Sequence, residues 1–343
     1  ASRHSDRDNA AVDGVADAAD FEEVLKSFQQ QHGHDLTSTK LQPVKWSDVG
    51  GLEDAKREIL ETIELPLKHP ELFKKGAKQR AGVLMYGPPG CGKTLLAKAV
   101  ATEMGLNFIS VKGPELINPY VGESEKNIRQ LFQKARDNSP CVAFFDELDA
   151  LAPKRGAKGD SGGVMDRIVA QLLAEVDGVG AARSDGTAAA QVFIVGATNR
   201  PDLLDPSLIR PGRFDRPCYL GPPATKAEQL SYVQALTRKF DLAADVDLEA
   251  IVAPLAPSVY TGADYFALCS DAMMLAVDAR VEAITRSVTE SPDGRPDPGL
   301  ETSKVQVRME DFIQARERLT PSVSAADLKR YEAVRDQFAN GGS

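Results

Sequence analysis

The sequence predicts an α/β fold in which a five-stranded, mostly parallel sheet lies between helices and is followed by a small helical unit. Three observations lead there. Short apolar runs at Val83–Tyr86, Phe108–Val111, Val142–Phe145, Phe193–Ala197 and Cys218–Leu220 read as buried strands separated by helical patterns. Beyond Thr225 the strand signals disappear and helical periodicity takes over. A chain of 343 residues also exceeds what one hydrophobic core usually organises, so a large unit with a smaller companion is expected.

Taken in order, Ala1 to Ala19 is rich in Asp, Ala, Ser and Arg with little to bury, which predicts a poorly ordered leader. Asp20-Phe21-Glu22-Glu23 reads as a capping box, and Phe21, Val24, Leu25 and Phe28 recur at helical spacing, so one short amphipathic helix is expected. His32 to Pro43 is polar and broken, a linker, which makes residues 1–43 a leader, helix and linker. The dense alternation of strands and helices then defines a large α/β unit over 44–223. Helical patterns at Lys226–Lys239, Leu248–Ala253, Gly262–Arg286 and Met309–Leu319 define a helical lid over 224–320, and 321–343 is expected to be a C-terminal helix or tail. Within the lid, Ser287 to Ser303 is rich in Pro and Gly with few apolar residues, and reads as a loop. No initiator Met or targeting segment opens the chain, so a piece of a longer protein is expected.

Composition excludes several classes. No apolar run is long enough to cross a bilayer. The balance of 41 Lys plus Arg against 50 Asp plus Glu, a net of −9, lacks the basic footprint of a nucleic-acid binder. Cys91, Cys141, Cys218 and Cys269 form no C-x-x-C pair and read as free thiols of a reducing compartment. The four histidines fall outside the motifs and receive no role.

Gly87-Pro88-Pro89-Gly90-Cys91-Gly92-Lys93-Thr94 is G-x-x-x-x-G-K-T, following an apolar strand and opening a helix at Leu95. Glycines let the backbone curl so that its N–H groups point inward, and the helix N-terminus adds positive potential. Lys93 then reaches the outer phosphates of ATP, and Thr94 can hold Mg²⁺. Val142 to Phe145 ends in Asp146-Glu147, a Walker B element: Asp146 for the Mg²⁺ site, Glu147 as the base that polarises the attacking water. Asn199, after the strand Val192–Ala197, either shapes the turn before Arg200-Pro201 or orients that water through its amide. Arg210 and Arg213 flank a Pro-Gly turn; in a closed ring they reach a neighbour's γ-phosphate, and the alternative is a local pair with Asp215 or Asp205.

The phosphate loop, Asp146-Glu147, Ala197-Thr198-Asn199-Arg200-Pro201 and Arg210-Pro-Gly-Arg-Phe-Asp occur in the order of the AAA family of P-loop NTPases, which the chain resembles from about Val44 to Thr320. The resemblance implies an ATP-hydrolysing, ring-forming protein unfoldase or translocase. It carries over three sets of residues. The backbone near Asp48 and Gly50 contacts adenine, Gly262 and Ala263 form the lid turn over the base and ribose, and Tyr120 and Val121 form a pore loop touching threaded polypeptide. From the residues alone, Tyr120 sits on a Pro- and Gly-flanked loop before a helix N-capped by Ser124, though a packing tyrosine is the bland alternative. Lys154 to Gly163 reads equally as a second pore loop or a surface connection.

Val111 to Asn118, Gly159 to Arg167, and Thr261 to Asp264 with Ala267 to Ala272 resemble the second ATPase domain of the peroxisome-biogenesis members of the family more than its valosin-containing-protein group. That closer likeness implies a hetero-hexameric ring with a second AAA protein and a membrane-anchored tether at the cytosolic face of the peroxisome. The polypeptide cargo it implies is the ubiquitinated import receptor, with no nucleic acid and no membrane insertion. Two departures stand out: Cys91 where Thr is usual, at a position that offers only its backbone N–H, and Pro119 where Met is commoner. The rival readings are a nucleotide-gated scaffold with little hydrolysis and another protein-remodelling AAA ATPase of the valosin-containing-protein group.

Overall fold

The computed structural model describes residues 43–69, 82–117, 120, 122–154, 163–179, 190–255, 260–290 and 304–340. The expected leader, the helix at Phe21–Phe28 and most of the linker lie outside these residues.

Five parallel strands form the main sheet: β1 (Gly82–Tyr86), β2 (Asn107–Lys112), β3 (Cys141–Asp146), β4 (Val192–Thr198) and β5 (Phe214–Tyr219), in the order β2-β3-β4-β1-β5. The three central strands are apolar and almost wholly buried because helices cover both faces. Side chains divide by the two-residue period of a strand. Leu84, Ala143, Phe145, Val192 and Ile194 pack on one face against the helices Glu123–Asp137 and Val164–Asp177. Val83, Met85, Val142, Phe144, Phe193 and Val195 pack on the other, against Glu53–Lys68 and Lys93–Glu103.

Two strands differ from the sequence expectation. β2 is only half-buried because it forms one edge of the sheet. β5 begins at Phe214 rather than Cys218 and carries Pro217; an edge strand tolerates the missing N–H, and its charged Asp215 and Arg216 hid it from a search for apolar runs. Leu220 lies just past β5, its N–H donating to the Tyr86 carbonyl at 2.8 Å.

A separate core lies in the helical part, where Tyr265, Leu268, Cys269 and Ala272 of the lid helix Gly262–Glu290 meet Val233, Ile251, Val307 and Phe312. Thr225 caps the helix Lys226–Thr237 through a capping box with Glu228. Strand structure does not end at Thr225: β6 (Asp241–Leu242) and β7 (Gln306–Val307) pair in parallel, too short to leave a periodic signal. The lid helix also runs on through Ser287 to Glu290, so that part of the expected loop is helical, and 291–303 lie outside the described residues.

Helix starts bring two further corrections. The helix after the phosphate loop begins at Lys93, not Leu95. Ser124 is not an N-cap: Gly122, at φ 86°, occupies that position, and Ser124 is buried inside the first turn. The C-terminal helix Ala325–Asn340 turns back to the sheet, setting Phe338 edge-on to Tyr86 with ring centroids 5.0 Å apart.

Candidate active site

β1 feeds the phosphate loop, β3 ends in Asp146, and β4, which leads to Asn199, lies between them, so three site segments share one end of the sheet. Gly87 is buried at φ 148°, and a Cβ there would stand 2.0 Å from the Leu220 carbonyl oxygen; only glycine lets the loop leave the sheet at this angle. Pro88 and Cys91 are buried, while Pro89 and Gly90 are exposed at the loop's turn and Gly92 takes the left-handed conformation that starts the helix. Cys91 is fully buried, and burial pushes its thiol up to about 12, so it is an inert packing group here.

Lys93 is 8% exposed, and its Nζ donates to the carbonyls of Gly87 at 3.0 Å and Pro88 at 2.8 Å. Burial pulls its ammonium down to about 8, partly offset by Cys91, Asp146 and Asp149. Thr94 Oγ1 donates to Asp146 Oδ2 at 2.7 Å, so the two oxygen ligands expected for Mg²⁺ already converge. The residues fit a magnesium–triphosphate group: hard oxygen donors, a buried ammonium and a curled backbone stand at one strand end.

Glu147 is exposed and adopts φ 52°, a left-handed conformation costly for a residue with a Cβ, by about 1 kcal/mol. Its backbone N–H donates to Asp146 Oδ1 at 3.0 Å, so the strained turn is held by the neighbouring carboxylate. The side-chain oxygen of Asn199 is buried with no hydrogen-bond partner among the described residues, which marks it as an acceptor directed at something other than the protein.

The arginines part company. Arg213 is held within its own chain: Nε and Nη2 donate to the two oxygens of Asp177, each at 2.7 Å, and Nη1 donates to the Ser207 carbonyl at 2.6 Å. The guanidinium holds the Asp177 carboxyl below its ordinary range. Neither expected partner, Asp215 nor Asp205, forms this pair. Arg210 is exposed, and its guanidinium has no ion-pair partner among the described residues.

A cleft of about 220 Å³ opens beside the loop, lined by Asp48, Val49 and Gly50 on one side, Gly90, Gly92 and Leu95 below, and Tyr232, Leu236, Gly262 and Ala263 of the helical part. The Asp48 carboxylate accepts from Lys45 N–H at 3.0 Å and lies 3.7 Å from Arg238. A larger cavity, about 520 Å³, lies between the Arg210 segment and the C-terminal helix, apart from the phosphate loop. Tyr120 is 75% exposed; Val121 and most of Lys154–Gly163 lie outside the described residues.

Three site groups carry no linear signal. Asp149 Oδ1 accepts from Thr198 Oγ1 at 2.6 Å, bracing the β4 tip against the Walker B turn. Tyr232 walls the cleft with a buried hydroxyl that has no partner among the described residues, and in sequence it is indistinguishable from a core aromatic. Tyr331 donates its hydroxyl hydrogen to the Asn199 carbonyl at 2.7 Å across 132 residues.

Residues 83–222 match the model of the ATPase family associated with various cellular activities, spanning this loop, both carboxylates, Asn199 and both arginines. Residues 83–222 form a domain of the AAA family of ATPases. Residues 297–338 further match the Vps4 C-terminal oligomerisation domain. Among curated proteins, the peroxisomal ATPase PEX6 of Pichia angusta is 54% identical over 94% of this chain and 29% of its own length. PEX6 of Saccharomyces cerevisiae is 52% identical over 93% and 31%, and that of Arabidopsis thaliana 53% over 94% and 33%. The chain thus spans about a third or less of the curated relatives it matches.

Proposed function

We propose that this chain is the motor domain of a ring-shaped protein unfoldase or translocase that exports the peroxisomal import receptor. The observation that carries the motor reading is the convergence of Lys93, Thr94, Asp146 and the orphan amide of Asn199 at the tips of neighbouring strands. The peroxisomal assignment rests on the likeness to PEX6 proteins.

Lys93 holds the β- and γ-phosphates, exchanging its two carbonyl partners for phosphate oxygens. Thr94 and Asp146 would hold Mg²⁺, and the ion would supply positive charge to neutralise the phosphate oxygens. Glu147 polarises the attacking water, and Asn199 orients it. Arg210 and Arg213 act on the neighbour's nucleotide, Arg213 only once it leaves Asp177. Adenine lies in the cleft against the Asp48–Gly50 backbone, under Gly262 and Ala263. Subunit shifts driven by hydrolysis move Tyr120 and Val121 along the pore.

The ring is a hetero-hexamer with a peroxin-one-like AAA ATPase, and the match to an oligomerisation domain supports assembly. It works from the cytoplasm, tethered at the cytosolic face of the peroxisomal membrane, on the ubiquitinated import receptor. Phosphate release by the assembled full-length protein in Mg-ATP tests the motor reading. Robust turnover that Glu147→Gln abolishes while ATP still binds is expected; turnover near background would leave the nucleotide-gated scaffold instead.

A further inference from the structure

The C-terminal helix Ala325–Asn340 lies across the ends of three neighbouring strands of the sheet, β4, β1 and β5. Tyr331, Arg335 and Phe338 stand four and three residues apart and so share one helical face. Tyr331 bonds the Asn199 carbonyl just beyond β4 at 2.7 Å. Phe338 meets Tyr86, the last residue of β1 before the phosphate loop, and Arg335 lies over Tyr219 at the end of β5, 5.7 Å from its ring centroid. Arg330 adds a fourth tie, Nη2 to Asp202 Oδ2 at 2.5 Å, on a carboxylate that Arg200 also reaches at 3.3 Å.

These ties fall unevenly on the site. The Asn199 side-chain oxygen makes no hydrogen bond to the described protein, so side-chain bonds at that oxygen do not fix where the amide points. Its direction follows the backbone, and that backbone has left the ladder of β4, which ends at Thr198. The bond that holds the Asn199 carbonyl comes from the hydroxyl of Tyr331, which donates to it at 2.7 Å. Misplacing a reacting group by even 1 Å is costly, so a single anchor at this point has leverage on rate.

We infer that Tyr331 is a positioning residue for ATP hydrolysis: its hydroxyl anchors the Asn199 backbone and so aims the Asn199 amide at the lytic water. The C-terminal helix then reports on the site as well as serving assembly. This inference rests on the reading of Asn199 proposed above.

The test is Tyr331→Phe in the full-length protein, which keeps the ring and deletes the bond. Expected is a kcat lower by about threefold to tenfold, the usual reach of one hydrogen bond, with ATP affinity and assembly mass unchanged and the melting temperature lowered by no more than about 2–4 °C. An unchanged kcat overturns the inference. So does a fall that comes with a matching loss of ATP affinity or assembly mass, which marks a helix that merely docks. Asn199→Ala, measured alongside, separates the two readings. If it retains turnover, the role of Asn199 itself is wrong; if it loses turnover while Tyr331→Phe is normal, only the anchoring is wrong.

Discussion

The Ala263 backbone N–H donates to the Gly90 carbonyl at 2.9 Å, joining the helical lid directly to the phosphate loop. Thr261, fully buried two residues earlier, is fixed in turn: Asp264 accepts its N–H at 2.7 Å and its hydroxyl at 3.1 Å, and also bonds Ser322. The lid is therefore seated on the loop proposed to grip phosphate, and a change in either should be felt by the other.

Gly90→Ala tests that seating. The residue sits at φ 78°, and a Cβ would stand 2.7 Å from Ala263 Cβ and 3.0 Å from Thr261 Oγ1. Both the backbone and the lid must give, which should cost about 1–3 kcal/mol of stability. ATP affinity should fall by about tenfold or more, since a displaced lid no longer closes the cleft. Thermal melting and nucleotide titration measure the two effects. Native affinity in this variant would mean that the lid is not seated by the Gly90 contact.

What was legible in the sequence was what is local. Eight consecutive residues specify the phosphate loop, and an apolar strand running into Asp146-Glu147 specifies the second half of the site, because each motif carries its own strand or helix context. The start of β5 escaped because its first residues, Phe214-Asp215-Arg216-Pro217, are those of an edge strand, and the two-residue pairing of β6 with β7 is too brief for any period to register. The Arg213–Asp177 pair and the Tyr331–Asn199 bond escaped for another reason: each joins residues far apart in the chain and exists only once the sheet and helices are packed.

Lys93 should make ATP binding pH-dependent. Its folded pKa, lowered by burial to about 8, lies below the ordinary lysine value of 10.5. Between those values the unfolded chain holds the proton more firmly, so the stability contribution of this group to the nucleotide-free domain rises with pH across that window. ATP binding has the opposite sign. It needs the ammonium, so above pH 8 each binding event must first take up a proton. Affinity should weaken by up to about tenfold per pH unit there, with proton uptake visible by calorimetry in buffers of different ionisation heat. A flat affinity from about pH 7 to about pH 9.5 would show that Lys93 is charged throughout.

Tyr120, 75% exposed, is the residue proposed to grip passing polypeptide. Tyr120→Ala should keep substantial ATPase activity and lose substrate unfolding, while Tyr120→Phe should restore it, because the gripping feature is the aromatic face. Normal processing of an unfolding substrate by the alanine variant refutes the pore assignment.

Arg210 and Arg213 should fail differently. Arg213 is 20% exposed and closes a two-point pair with Asp177, itself half-exposed, so solvent screening leaves the pair worth about 1 kcal/mol. Arg213→Ala should therefore lower the melting temperature by about 2–4 °C as well as the turnover of the assembled ring. Arg210 has no comparable tie among the described residues. Arg210→Ala should leave the melting temperature alone and cut turnover by about a hundredfold or more, the loss expected when a charge that stabilises phosphoryl transfer from a neighbouring subunit is removed. Rings mixing Arg210→Ala protomers with Glu147→Gln protomers locate the effect, since a residue acting in trans damages the site next door. If Arg210→Ala instead destabilises the isolated chain and spares ring turnover, it is a structural residue and the trans role belongs elsewhere.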